Sequence, residues 1–251
     1  MTPWWLALGY GVLGTCIGSF LNTCIDRIPH GQSVVFPASH CAICSRRLAP
    51  WELAPVLSYV LLRGRCRSCG VAIPVRIPLV EALTGAGFAA LWWRLGPGWA
   101  LVGASALMCV MLLVAATDLE HQLIPNRVVY PALALAPLVA VAGGHTIWES
   151  VAGAAVGFGL MAAPYLLTRG GMGAGDVKLA ALIGAGTGFP EVLVALFAGV
   201  VAGGLVALVL LASGRRGRKD AIPFGPFLAA GGAVGLLAGR PIAQWYFGGW
   251  F

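Results

Sequence analysis

Gly171-Met172-Gly173-Ala174-Gly175-Asp176-Val177-Lys178-Leu179 places a lone carboxylate behind three glycines, at the mouth of an apolar run. Glycine permits turns and close approaches that a Cβ forbids. An ionisable residue beside apolar segments of membrane length is costly, so function is the first explanation for it. A second carboxylate, Asp118, closes another apolar run in Thr117-Asp118-Leu119-Glu120-His121-Gln122-Leu123-Ile124-Pro125-Asn126. Two aspartates brought together from two helices would make a protease: one carboxylate takes a proton from water while the other, protonated, polarises a peptide carbonyl.

The chain around these stretches reads as an all-α polytopic membrane protein. It has 251 residues, 59% of them hydrophobic and only 10% charged, with mean hydropathy +0.87. That composition excludes an ordinary soluble globular domain. A net charge of +7 raises the question of nucleic acid. The basic residues collect in particular loops, however, which is the pattern of membrane topology, so no nucleic acid partner is expected. Met1-Thr2-Pro3-Trp4-Trp5 lacks a basic n-region, and no convincing small-residue cleavage site precedes Asp26. The first apolar run is therefore expected to stay in place as a span.

Runs of about 20 apolar residues cross the hydrocarbon core, and the sequence offers about eight transmembrane helices: 4–25, 77–95, 98–117, 127–143, 148–168, 177–190, 191–213 and 223–240. The sixth is short and glycine-rich, and its boundary with the seventh at Gly188-Phe189-Pro190 is the least sharply marked. With the N-terminus outside, the cytoplasmic segments carry Arg27, Arg46, Arg47, Arg63, Arg65, Arg67, Arg76, Arg127, Arg169, Lys178, Arg215, Arg216, Arg218 and Lys219. Only Arg94 and Arg240 fall outside. This asymmetry predicts an even number of spans with both termini outside, and it places Asp118 and Asp176 together at the cytoplasmic face. The expected organisation is a first transmembrane helix at 1–25, a cytoplasmic four-cysteine domain at 26–76 and a transmembrane protease domain at 77–251.

The loop 26–76 contains Cys41-Ala42-Ile43-Cys44 and Cys66-Arg67-Ser68-Cys69. Two Cys-x-x-Cys pairs make a tetrahedral four-thiolate zinc site. Disulfides are the alternative, but a cytoplasmic loop is reducing, so zinc on Cys41, Cys44, Cys66 and Cys69 is favoured. Four thiolates leave no open coordination position, which makes the metal structural. It would compensate for the small core of a short, zinc-ribbon-like loop domain. Between the pairs, Trp51 to Leu62 reads as an amphipathic segment lying on the membrane. Cys16, Cys24 and Cys109 fall in spans and are expected to be packing residues.

Three further polar residues stand in apolar surroundings. Ser19 and Asn22, in Gly18-Ser19-Phe20-Leu21-Asn22, lie on one helical face. They serve either interhelical hydrogen bonding or contact with a substrate or cofactor. Glu81, in Arg76-Ile77-Pro78-Leu79-Val80-Glu81-Ala82-Leu83-Thr84-Gly85, reads either as an acidic residue complementing the start of its helix or as a direct contact to substrate or cofactor.

In these motifs, taken in order over nearly the whole length, the chain resembles the type IV prepilin peptidases, membrane aspartyl proteases with a Gly-x-Gly-Asp motif. The residues that carry the resemblance are Gly18-Ser19-Phe20-Leu21-Asn22, both cysteine pairs, Pro78-Leu79-Val80-Glu81 with Leu83-Thr84-Gly85, Asp118 with Ile124-Pro125, the stretch from Gly171 to Leu179, and Pro223-Phe224-Gly225-Pro226-Phe227. The resemblance implies Asp118 and Asp176 as the catalytic pair, supported by Gly173, Gly175 and Lys178. It implies cleavage of the basic leader of prepilins or pseudopilins, of type IV pili or type II secretion, after a glycine at the cytoplasmic face of the bacterial inner membrane. It also implies methylation of the new N-terminus with S-adenosylmethionine. The sequence carries no dinucleotide-type glycine fingerprint that would locate the methyl donor, and it leaves the oligomeric state open.

Physics suits such a substrate, because a basic leader stays in the cytosol while the apolar helix enters between spans. Glycine at the cleavage point also resists helix formation. A proton-coupled transporter with a zinc-ribbon docking loop is the alternative, since paired membrane carboxylates also carry protons. Transport would place them near the bilayer midplane, whereas here both stand at helix ends. Those ends suggest a division of labour. Asp176, near a helix N-terminus, would be the ionised base, and Asp118, near a helix C-terminus, the protonated donor.

Overall fold

Backbone in lipid has no water to satisfy it, so a spanning segment must close its own hydrogen bonds as a helix. Each of the eight apolar runs carries a helix within its described residues. The computed structural model describes residues 4–167, 172–214 and 222–248. Gly171, Arg169, Arg215, Arg216, Arg218 and Lys219, which entered the motif and the charge pattern, lie outside the described residues. The elements are α1 (Trp4–Arg27), α2 (Leu57–Leu61), α3 (Arg76–Leu95), α4 (Trp99–His121), α5 (Asn126–Ala142), α6 (Ile147–Leu167), α7 (Ala174–Thr187), α8 (Glu191–Ala212) and α9 (Gly225–Phe247), with a 3-10 turn at Pro50–Leu53. There is no strand among the described residues. Five helices, α1, α4, α6, α8 and α9, are long and apolar enough to cross a membrane, and α5 is a shorter apolar helix.

Exposure is inverted relative to a water-soluble protein. Leu205, Leu208 and Val209 of α8 and Leu135 and Leu138 of α5 face outward, whereas Glu81, Asp118, Asp176 and Glu191 are buried. Lipid takes the place of water around such a surface. The protein is a multi-pass, all-α membrane protein.

The chain forms two compact units, Met1–Gly96 and Pro97–Phe251. The sequence segments 1–25 and 26–76 both fall in the first unit, together with α3. There α1 and α3 cross closely, and Tyr10 stacks on Phe88 with ring centroids 5.0 Å apart. Asp26 at the end of α1 pairs with Arg76 at the start of α3 at 2.6 Å. The stretch 51–62, expected as one amphipathic segment, is broken. Pro55 has no N–H and disfavours helix at the residue before it, so the 3-10 turn stops and the five-residue α2 starts afresh. Between them Val56 adopts φ 60°, a conformation seldom taken by a β-branched residue.

In the second unit α7 is the central element. Leu179, Ala180, Leu182 and Ile183 are fully buried, so this helix can be short and need not reach both interfaces by itself. It packs on α6 backbone to backbone: a Cβ on Gly153 would meet the Gly184 carbonyl, and one on Gly157 the Ala180 carbonyl. Backbone cannot swing aside as a side chain does. Gly157→Leu is therefore expected to destabilise the unit by about 3 kcal/mol or more. Gly159→Leu, on the same helix with open space around it, should be tolerated. Thermal unfolding of the two purified variants checks the difference.

Candidate active site

Asp118 and Asp176 reach one place through the loop between α4 and α5. Helix α4 ends three residues after Asp118, where Gln122 turns left-handed at φ 50° and its N–H caps the Asp118 carbonyl at 2.9 Å. The chain then runs to Pro125, which starts α5. On the way the Ile124 side chain covers Gly175 so closely that a Cβ there would lie 2.8 Å from Ile124 Cβ. This is the physical need for Gly175, since the loop rests on the first turn of α7. Lys178 fixes the same junction, donating to Asn126 Oδ1 at 3.0 Å and standing 5.3 Å from the centre of the Tyr130 ring. Its ammonium thus ties α7 to α5. Gly173 is the N-cap of α7, and Asp176 sits in that helix's first turn. Both aspartates are buried at 7% exposure, and their carboxylates are near enough for their charges to interact.

A third helix completes the arrangement. The Gly225 N–H, at the start of α9, donates to Asp118 Oδ2 at 2.9 Å. The Pro223 to Phe227 motif carries this donor, and sequence reasoning gave it no role. A helix start offers unpaired N–H groups and partial positive charge. Asp118 thus receives from α9 what Asp176 receives from α7, and position on its own helix no longer separates the two roles. A Cβ on Gly225 would lie 2.7 Å from Asp118 Oδ2. Gly225→Ala is expected to push the carboxylate off its donor and lower turnover more than tenfold, while Gly204→Ala, in open space, leaves it unchanged. Steady-state assay of both variants checks this.

The four cysteines converge in the first unit. Their sulfurs all lie within 4.8 Å of one another, with Cys41 Sγ and Cys69 Sγ 3.7 Å apart, and none is in a disulfide. Thiolates about 2.3 Å from a tetrahedral zinc stand roughly 3.8 Å apart, so the set fits that ion. The two knuckles repeat one design. The N–H of Cys41 bonds the Arg46 carbonyl as that of Cys66 bonds the Val71 carbonyl, and Ser45 and Gly70 return N–H groups to Cys41 and Cys66. Ser45 and Gly70 occupy equivalent left-handed positions, at φ 54° and 72°. Backbone N–H groups of Cys69 and Ser68 lower the Cys66 thiol from its ordinary value. Glu52, buried between the knuckles, takes two bonds from Arg46 at 2.9 and 2.6 Å and one from the Ala49 N–H at 2.8 Å. These contacts, with Arg46 first, hold its carboxyl down to about 2.

The remaining predicted residues also fall in the first unit. Glu81 lies beyond the first turn of α3, where the helix-start reading does not apply. It is buried, and its Oε2 accepts the Val56 N–H at 2.7 Å, pinning the left-handed turn before α2. Asn22 Nδ2 donates to the carbonyls of Gly18 and Ile77 at 3.2 and 3.0 Å, so interhelical bonding between α1 and α3 is realised. Ser19 is half-buried.

Comparison with known proteins agrees with this division. Residues 12–95 match the bacterial peptidase A24 N-terminal domain, and residues 105–208, which include both aspartates, match the type IV leader peptidase family. A prepilin leader peptidase/N-methyltransferase of Bacillus subtilis is 36% identical over 238 residues, covering 94% of this chain and 95% of that protein. Proteins of the same name from Burkholderia pseudomallei (strain 1026b) and Aeromonas hydrophila are 34% and 32% identical. They cover 92% and 97% of this chain and 84% and 94% of their own lengths. No solved structure matches. The chain belongs to the type IV leader peptidase family, and the transporter alternative finds no support in these relatives.

Proposed function

We propose that the protein is a membrane aspartyl endopeptidase that removes the basic leader of type IV prepilins or pseudopilins and methylates the new N-terminus. The observation that carries the reading is the pairing of Asp118 and Asp176 at facing ends of α4 and α7, within the region similar to leader peptidases. One carboxylate removes a proton from water as its oxygen bonds the scissile carbonyl carbon. The other gives its proton to the carbonyl oxygen, and collapse breaks the C–N bond with a proton passing to the leaving amine. The Gly225 N–H orients Asp118 for its part. The basic residues predict this site at the cytoplasmic face of the inner membrane, with the leader in the cytosol. Gly173, Gly175 and Lys178 act by positioning the first turn of α7.

Zinc on Cys41, Cys44, Cys66 and Cys69 orders the loop and takes no part in hydrolysis. S-adenosylmethionine is the proposed methyl donor, and the buried polar groups of the first unit, Glu81 and Asn22 with Ser19 beside them, are the residues to test for it. Glu81→Gln is expected to lower the methylated fraction of product severalfold while cleavage proceeds. Mass spectrometry of a synthetic prepilin incubated with purified protein, with and without S-adenosylmethionine, tests both activities. An uncut substrate would overturn the assignment.

A further inference from the structure

The broken stretch 51–62 is fixed in depth by one hydrogen bond within the first unit. A Cβ on Gly18 of α1 would lie 2.8 Å from the Glu81 Cα of α3, so these two residues stand level. Helix α1 is long and apolar enough to span, and its only charged residues are Asp26 and Arg27 at its end. From Gly18 to Asp26 it advances about 12 Å, a length no glutamate side chain covers. Glu81 accepts the Val56 N–H on its Oε2 at 2.7 Å. The start of α2 is therefore held deeper than the level at which α1 emerges, on the face that the arginine-rich loop predicts as cytoplasmic. A left-handed turn at that depth has no water for its N–H, which is the physical need for a carboxylate there.

Helix α2 presents Leu57, Val60 and Leu61 outward, at 59%, 64% and 66% exposure. At spacings of three and four they share one face. Tyr59 turns inward instead, and a Cβ on Gly64 would meet its ring at 2.9 Å. The chain then folds back at once. The Gly64 N–H bonds the Tyr59 carbonyl at 2.8 Å and the Ile73 N–H bonds the Gly64 carbonyl at 2.7 Å, tying α2 to the second knuckle. The apolar face is thus held outward by its own unit.

Charge decides what covers it. No Asp or Glu occurs from Leu53 to Val80, whereas Arg63, Arg65 and Arg67 follow α2 directly and are all exposed. Arg67 stands 5.3 Å over the Trp51 ring, an amphipathic side chain of the headgroup level. Of the neighbouring carboxylates, Glu52 is held by Arg46 and Asp26 by Arg76. Arg63 and Arg65 are left as two cations beside an apolar wedge, on stems long enough to snorkel toward phosphates. We infer that α2 is sunk among acyl chains of the cytoplasmic leaflet and that Arg63 and Arg65 bind the headgroups of anionic phospholipids there. The negative surface of that leaflet complements these charges, whereas a basic leader is repelled by them. The surface belongs to the first unit and serves it whatever the second unit catalyses.

The photoreactive residue p-benzoylphenylalanine in place of Val60, in the full chain in nanodiscs of equal phosphatidylglycerol and phosphatidylcholine, reads the neighbour on irradiation. Mass spectrometry is expected to find lipid adducts, with phosphatidylglycerol at least threefold over phosphatidylcholine. The double variant Arg63→Gln, Arg65→Gln should bring that ratio to one, with circular dichroism confirming the helical fold. The same probe at Leu138, which faces outward on α5, should give a ratio near one in both proteins. If the double variant fails to accumulate, loss of the ratio at high salt, which screens exposed charges, decides in its place. A probe at Val60 that links to a second copy of the chain or to an added prepilin peptide, or stays unlinked, overturns the wedge. Adducts in a ratio of one, or a ratio that survives both the double substitution and high salt, overturn the headgroup assignment.

Discussion

Asp118→Asn and Asp176→Asn are each expected to slow leader cleavage by about 10²–10⁴-fold, the usual contribution of a positioned acid or base, while the protein still inserts and accumulates. Asparagine keeps the volume and leaves the Gly225 N–H an oxygen to bond, so the loss is chemical and not structural. The double substitution should cost little more than either single one, because groups that act as a unit are strongly non-additive. Multiplicative losses would separate the two residues, and full processing by either variant would remove the dyad altogether. Single-turnover cleavage of a prepilin peptide distinguishes the three results.

Removal of the metal should have the second large effect, on order before activity. Elemental analysis is expected to give one zinc per chain. Chelation or Cys44→Ser should open residues 26–76 to protease, since structural zinc supplies on the order of 10–16 kcal/mol to small domains that cannot fold without it. Glu52→Ala, which removes the Arg46 and Ala49 bonds but no ligand, should loosen the same loop far less. Leader cleavage should survive chelation better than the loop does, because two carboxylates and a water need no metal. Metal-free protein with a protected loop would end the structural role.

The spans and the knuckles were legible in the sequence because both are local. A helix that must satisfy its own backbone in lipid is announced by the length of an apolar run, and a thiolate site by the spacing of its cysteines. Asp176 was placed correctly in the first turn of a helix by the glycines before it. Which faces meet was not legible. Helices α4, α7 and α8 are apolar nearly all round, so no stripe marks their inner side. Contacts between residues far apart in the chain therefore waited for the tertiary structure. Gly225 caps Asp118 across 107 residues, and Lys178 turns to Asn126 across 52. Glu81 leaves the helix-start role because the turn before α2 brings the Val56 N–H to its carboxylate at 2.7 Å. The local signals determined a membrane helix bundle with a cysteine knuckle pair, and only packing decided that three helix ends converge on one carboxylate pair.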